Sequence, residues 1–277
     1  MQSDSPIRKR NTRWTVITIL FIALMALYLY IYIVAPLPGD GNDYATSGLT
    51  VAAAIAAAAV ATHVWRFYGK ESPPRSVWGY FMLALWGWAI AEALWLIEYI
   101  VGGEELAKFS VADAFWVASY FFFIASLFRQ YVLIYRPSRR TRYSYLGLVI
   151  VTVLLFSYLY GLWLLHGNPQ AHQWETFVNA FYGIGDLALA LGALLLAYTF
   201  RSGALSRPWL GLVIFAASDL LYSWLESSGL YAWSIGTGNA LTTISDTTYF
   251  AAYLIIAIGC YSQWLLLAQG PRLSYET

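Results

Sequence analysis

The chain has 277 residues, of which 60% are hydrophobic, 18% aromatic and only 11% charged, with 16 Lys and Arg against 15 Asp and Glu. Soluble domains carry about 25% charged residues, so this composition excludes a soluble globular enzyme. A net charge of +1 leaves no basic field for nucleic acid, and the single cysteine, Cys260, excludes an intramolecular disulfide and any CxxC motif.

A bilayer core about 30 Å thick is crossed by about 20 apolar residues in a helix. Eight stretches meet that length: 14–34, 49–67, 77–101, 111–135, 144–165, 176–200, 208–230 and 241–267. Turn-forming residues separate them, among them Pro36, Pro38 and Gly39, then Ser72, Pro73 and Pro74, Gly102 and Gly103, Pro137, Gly167 with Pro169, Ser202 with Gly203, and Gly236 to Asn239. The first stretch follows a basic start but shows no small-residue cleavage site before Pro36, so it is expected to stay as an uncleaved signal anchor.

Sorting the basic residues by alternate connections puts 15 of the 16 on one side, with Lys108 alone on the other. The positive-inside rule then predicts cytoplasmic termini in a bacterial inner (cytoplasmic) membrane. Neither tail is expected to form an output domain. The run Arg136, Arg139, Arg140 and Arg142 reads as a topology signal touching membrane lipids.

The two halves of the sequence echo one another. Ser110, Val111, Ala112, Asp113, Trp116, Ala118 and Tyr120 align with Thr243, Ile244, Ser245, Asp246, Tyr249, Ala251 and Tyr253 at an offset of 133 residues, and Gln130 aligns with Gln263. Trp78 likewise aligns with Trp209 at an offset of 131. The expected fold is therefore an all-α membrane protein of eight transmembrane helices, built as two parallel four-helix repeats, residues 1–143 and 144–277. A pseudo-two-fold axis would run along the membrane normal.

Seven of the 15 acidic residues fall inside the predicted spans: Glu92, Glu98, Asp113, Asp186, Asp219, Glu226 and Asp246. A carboxylate at a helix centre costs about 2.5–3.5 kcal/mol on insertion scales, so these groups must face the bundle interior. No Lys lies within a span and the Arg residues sit at the basic side, which leaves protonation, hydroxyl donors or a bound cation to satisfy them. At about 1.5 Å per residue Asp186 and Asp219 lie roughly 15 Å deep, near the midplane. Glu92 is a turn further out, and Asp113, Glu226 and Asp246 are near the outer ends.

Helical spacing groups Asp219, Tyr222, Ser223 and Glu226 on one face, Asn179, Tyr182 and Asp186 on another, and Asp246, Tyr249 and Tyr253 on a third. Asp113, Trp116 and Tyr120 repeat the last pattern in the first half. These stripes predict an acidic and aromatic cavity, with Glu92, Asp113, Asp186, Asp219, Glu226 and Asp246 as acids and Tyr120, Tyr182, Tyr222 and Tyr253 as donors. Asp113 and Asp246 can alternatively serve as helix N-terminal caps, and each acid can alternatively be interhelical glue. The alanine-rich run 52–61 predicts a close helix approach. His63, His166 and His172 form no metal motif, no lysine is placed for a Schiff base, and no GxSxG is present, so no catalytic role is expected.

The stretch from Ser110 through Asp113 and Trp116 to Tyr120, the stretch Asp219-Leu220-Leu221-Tyr222, and Phe181-Tyr182-Gly183-Ile184-Gly185-Asp186 resemble the N-terminal membrane regions of bacterial diguanylate cyclases and related sensor proteins. The resemblance covers the third to eighth spans and implies a sensory membrane region. No cyclase or kinase domain accompanies it in these residues, so a protein partner is expected to supply the output. The overall expectation is a membrane sensor binding a small ligand or lipid-like molecule from the outer face. The alternatives are a cation- or proton-coupled transporter and an accessory subunit of a membrane complex.

Overall fold

The computed structural model describes residues 6–102, 110–136, 138–167, 173–201, 203–231 and 239–273. Its elements are α1 (Pro6–Val34), α2 (Gly41–Phe67), α3 (Pro73–Gly102), α4 (Val111–Tyr135), α5 (Arg139–Gly167), α6 (Gln173–Thr199), α7 (Ser206–Ser227) and α8 (Ala240–Leu273). All eight are long and apolar enough to cross a membrane, and no strand occurs among the described residues. In lipid every backbone N–H and C=O must be satisfied within the segment, and an uninterrupted helix does this. The protein is a multi-pass, all-α membrane protein.

Several helices outrun their apolar stretches, because polar residues at the ends close the first and last turns. α2 begins at Gly41 rather than at residue 49, which brings Asp43 into the helix. Just ahead of it Asn42 clasps residue 37, accepting from Leu37 N at 3.0 Å and donating to Leu37 O at 2.8 Å. α4 opens on a capping box: Ser110 Oγ accepts from Ala112 N at 3.0 Å, and Asp113 Oδ2 accepts from Ser110 N at 2.8 Å. Capping is thus part of what Asp113 does. Asp246 is different. α8 starts at Ala240 and is capped by Asn239, whose Oδ1 accepts from Thr242 N at 2.9 Å, so Asp246 lies nearly two turns inside the helix and caps nothing.

Helices α2, α3, α4, α6, α7 and α8 form the inner bundle. α3 packs on α2 and α4, α7 packs on α6 and α8, and the two groups join through α2 against α8 and α4 against α6. α1 leans on α2 and α8, and α5 leans on α6. Lipid tails are as apolar as leucine, so shape and hydrogen bonding rather than burial from water must select these pairings. Ala54, Ala57, Ala58 and Ala61 are fully buried, giving α2 the close approach that its alanine run predicts. At Gly211 of α7 a Cβ would fall 2.9 Å from the backbone nitrogen of Ile256, so α7 and α8 touch backbone to backbone there. α3 and α7 meet through rings instead, Phe81 with Trp209 at 5.4 Å between centroids and Trp88 with Phe215 at 4.7 Å, both edge-to-face.

Candidate functional site

The interior carboxylates are held by tyrosines. Tyr249 on α8 donates to Glu92 Oε1 on α3, accepts the Trp88 indole N–H at 2.7 Å and meets the Tyr253 hydroxyl at 2.9 Å. Tyr253 also reaches Glu92 Oε1, at 3.4 Å. Tyr120 on α4 donates to Asp186 Oδ1 on α6, and Tyr182 on α6 donates to Asp113 Oδ1 on α4. Asp246 accepts from Tyr32 of α1 at 2.6 Å and from Tyr231, in the connection after α7, at 2.9 Å.

The local sequence explains these placements. Gly185 sits where a Cβ would lie 2.9 Å from the Tyr120 ring, so only a glycine allows that ring to lie flat on α6 and reach Asp186 one residue on. The Tyr120 ring stands edge-on to Trp88, centroids 5.0 Å apart, and Phe215 packs edge-on against Tyr253 at 5.4 Å. These contacts fix the tyrosine rotamers and so aim their hydroxyls.

Glu92, Asp113, Asp186 and Asp246 each accept a tyrosine hydroxyl from the other half of the sequence, residues 1–143 against 144–277. Bonds within a half include neutral ones, such as Trp86 Nε1 to Thr62 Oγ1 at 2.9 Å, Ser126 Oγ to Val77 O at 2.9 Å and Ser218 Oγ to Thr248 Oγ1 at 2.8 Å, together with Arg207 Nη1 to Ser262 Oγ at 2.8 Å and two acid bonds, Tyr231 to Asp246 and Ser110 N to Asp113. Neutral bonds also cross, Trp88 Nε1 to Tyr249 Oη at 2.7 Å and Gln263 Nε2 to Tyr68 Oη at 3.1 Å near the basic end.

The remaining acids are placed as follows. Asp219 is half-buried on α7, accepts no hydrogen bond among the described residues, and feels the charges of Asp186 and Glu92. Asp186 is fully buried, and its Oδ2 has no hydrogen-bond partner. Tyr222 bonds Glu226 one turn away, and lies within electrostatic reach of Asp246 and Asp219. Glu226 itself is exposed at the end of α7. Asn179, expected on the stripe of Tyr182 and Asp186, is exposed, two turns nearer the start of α6 than the buried Asp186.

Tyr32, Tyr231 and Tyr249 are functional donors outside the predicted set. The i, i+4 pair Tyr28 and Tyr32 on the first span was the available signal for Tyr32, since two tyrosines one turn apart mark a polar seam. Tyr231 had none, lying in a connection. Among the described residues no group of three His, Cys, Asp or Glu side chains is arranged to hold a metal ion.

Fold and site together define a polytopic helical membrane protein whose interior acids are satisfied by tyrosine. No protein-family model, curated protein or solved structure matches this chain. The likeness to cyclase-associated membrane regions therefore stands on its short motifs alone.

Proposed function

We propose that this chain is a sensor-type protein of a bacterial inner membrane, with cytoplasmic termini, that takes up a small hydrogen-bonding or cationic ligand from the outer face. The acid and tyrosine network receives it, and a protein partner on the cytoplasmic side reads the result. The carrying observation is that four carboxylates accept tyrosine hydroxyls from the opposite half of the chain. Anything that competes for Glu92 or Asp186 would loosen the contact between halves, and a shift in their packing is a signal that crosses the bilayer. The two-repeat organisation is part of the proposal. It is supported by the pairings of the inner helices, which map onto themselves when α2 to α4 are exchanged with α6 to α8: α2 and α3 with α6 and α7, α3 and α4 with α7 and α8, α2 and α8 with α6 and α4; among the described residues the contact of α1 with α8 is not matched by a comparable one of α5 with α4.

The test uses spin labels at Lys70 and Ala204, in the connections after α2 and α6. Cys260 is buried and will not compete for label. Pulsed electron resonance in lipid nanodiscs should report a changed distance or width in Tyr249→Phe and Glu92→Gln relative to the parent. An unchanged distribution in both variants overturns the sensor proposal.

A second reading, an accessory subunit in which the acids are packing glue, is favoured by the ring contacts that fill the centre, Phe81, Trp88, Phe123, Trp209 and Phe215. That reading expects the same two substitutions to lower stability and leave the distance distribution alone. A transporter draws less support, because α6 and α7 run unbroken past Gly183, Gly185 and Asp219 instead of unwinding at midplane.

A further inference from the structure

The acids are arranged in two tiers. Asp113, Glu226 and Asp246 lie toward the end remote from the arginines, with Asp43 close enough to act on Asp246. Asp186, Asp219 and Glu92 lie deeper. Two tyrosines span the gap: Tyr182 bonds Asp113 and feels both Asp219 and Asp186, and Tyr222 bonds Glu226 and feels Asp219. Along α7 the series Glu226, Tyr222, Asp219 descends one face at i, i−4, i−7, about 10 Å of helix, starting from an exposed carboxylate.

Nothing comparable continues toward the basic end. From Tyr253 to Gln263 on α8 there are ten residues, about 15 Å, whose titratable side chains are the buried Cys260 and Tyr261, the latter with its ring against Trp14 of α1 and Trp264. Around that stretch stand Phe81 and Leu85 of α3, Leu212 of α7 and Leu196 of α6, all buried. Ser126 is buried there too, but its hydroxyl is committed to Val77 O. Ser262 is likewise committed, to Ile258 O and Arg207, and a buried thiol, two committed hydroxyls and a tyrosine turned toward Trp14 do not make a relay across that distance.

Inside the deep tier, Asp186 Oδ2 is fully buried and without a partner, and among the described residues the titratable groups facing the pair are acids and tyrosines: Tyr120 of α4, Tyr182 of α6, Tyr222 of α7, Glu92 of α3, and Tyr249 and Tyr253 of α8. Two carboxylates that share a buried site without a cation cannot both stay ionised. The donor arrangement suits a proton better than a metal ion. We propose that Asp186 and Asp219 hold one proton between them, exchanged with the outer face through Glu226 and Tyr222, and that the path ends there. The proton lands on the Glu226 carboxylate. Tyr222 then takes it on its hydroxyl oxygen while releasing its own hydroxyl proton to Asp219, so the tyrosine is unchanged and one proton has moved inward. The sidedness rests on the topology proposed above. The consequence is a site that reads outer acidity and does not conduct.

Infrared difference spectra of the full chain in right-side-out and inside-out vesicles test this, with inner and outer pH set separately. The protonated-carboxyl band should follow the pH at the outer face only. It should diminish in Asp186→Asn and in Asp219→Asn, and in Glu226→Gln or Tyr222→Phe it should persist but exchange at least tenfold more slowly. A band that follows the cytoplasmic pH, one untouched by either Asn substitution, or one removed by sodium at constant pH overturns the proposal. Tyr222→Phe leaves the deep tier's own bonds intact and keeps the test decisive if an Asn variant fails to fold. A titrating band with a fixed distance between Lys70 and Ala204 would leave the proton site standing and remove the sensor reading; a moving distance with a silent band would do the reverse.

Discussion

Tyr249→Phe removes a single oxygen that serves three partners: it donates to Glu92, accepts the Trp88 N–H at 2.7 Å and meets Tyr253 at 2.9 Å. Interhelical hydrogen bonds in membrane proteins average about 0.6 kcal/mol and reach about 1.7, so three of them are worth about 2 kcal/mol. Trp88 is 3% exposed, and its indole N–H would then be stranded, at a cost of about 1–3 kcal/mol more. The expected destabilisation is about 3–5 kcal/mol. Tyr182→Phe is the natural control, since it takes one bond from Asp113 while the Ser110 amide remains on the other carboxylate oxygen at 2.8 Å; its cost should be about 0.6 kcal/mol. Steric-trap unfolding in bicelles measures both. Combining Tyr249→Phe with Glu92→Gln closes a double-mutant cycle, in which a coupling of about 1 kcal/mol is expected. A Tyr249→Phe loss no greater than that of Tyr182→Phe, or a coupling near zero, would mean that the Glu92 cluster does not hold the halves together.

Gly185→Ala should push the Tyr120 ring, 2.9 Å from the new methyl, off Asp186 and cost about 1–3 kcal/mol in the same unfolding assay. Ser110→Ala should cost about 1 kcal/mol by opening the capping box of α4, with Asn239→Ala costing a similar amount at α8; thermal unfolding in detergent would register each. Burial, reinforced by the nearby Asp246, holds the Tyr231 hydroxyl well above its usual range, so it stays protonated where exposed tyrosines ionise, near pH 10. Because the folded state favours its protonated form, its contribution to stability is intact below about pH 10 and declines as pH rises beyond that. Ultraviolet titration of the parent against Tyr231→Phe should show no phenolate difference at pH 10 in the folded protein, and an extra ionising tyrosine there would contradict the placement.

Span number and order were legible because hydropathy is a local property: a run of about 20 apolar residues has one stable form in lipid. The acids were legible for the same reason, each being conspicuous in an apolar context. Their partners were less so. Tyr120, Tyr182 and Tyr253 stood on the expected stripes, yet which acid each would meet depended on helix neighbours, and Tyr120 reaches Asp186 across α4 and α6 rather than Asp113 on its own helix. Helix ends misled where polar residues extend a helix beyond its apolar core. At α8 the start falls within one residue of the expected span, and the alternative of Asp246 as a cap fails because Asn239 takes that position, leaving Asp246 as an interior acceptor for Tyr32.

The partition of bonds has a consequence for how the chain enters the bilayer. Glu92 and Asp113 are synthesised before Tyr249 and Tyr182, their partners on α8 and α6. During insertion the first four helices must therefore carry Glu92 into the lipid without its tyrosine partners, at a cost of up to about 2.5–3.5 kcal/mol, while Asp113, in the first turn of α4, has the Ser110 amide to answer one of its oxygens. Neutral bonds such as Trp86 to Thr62 can form at once, while the tyrosines that answer the acids arrive only with the last helices. The nascent first half is thus an open client with a debt of unmatched polar groups, and a ribosome stalled after α4 should leave it associated with insertion chaperones until α6 and α8 emerge.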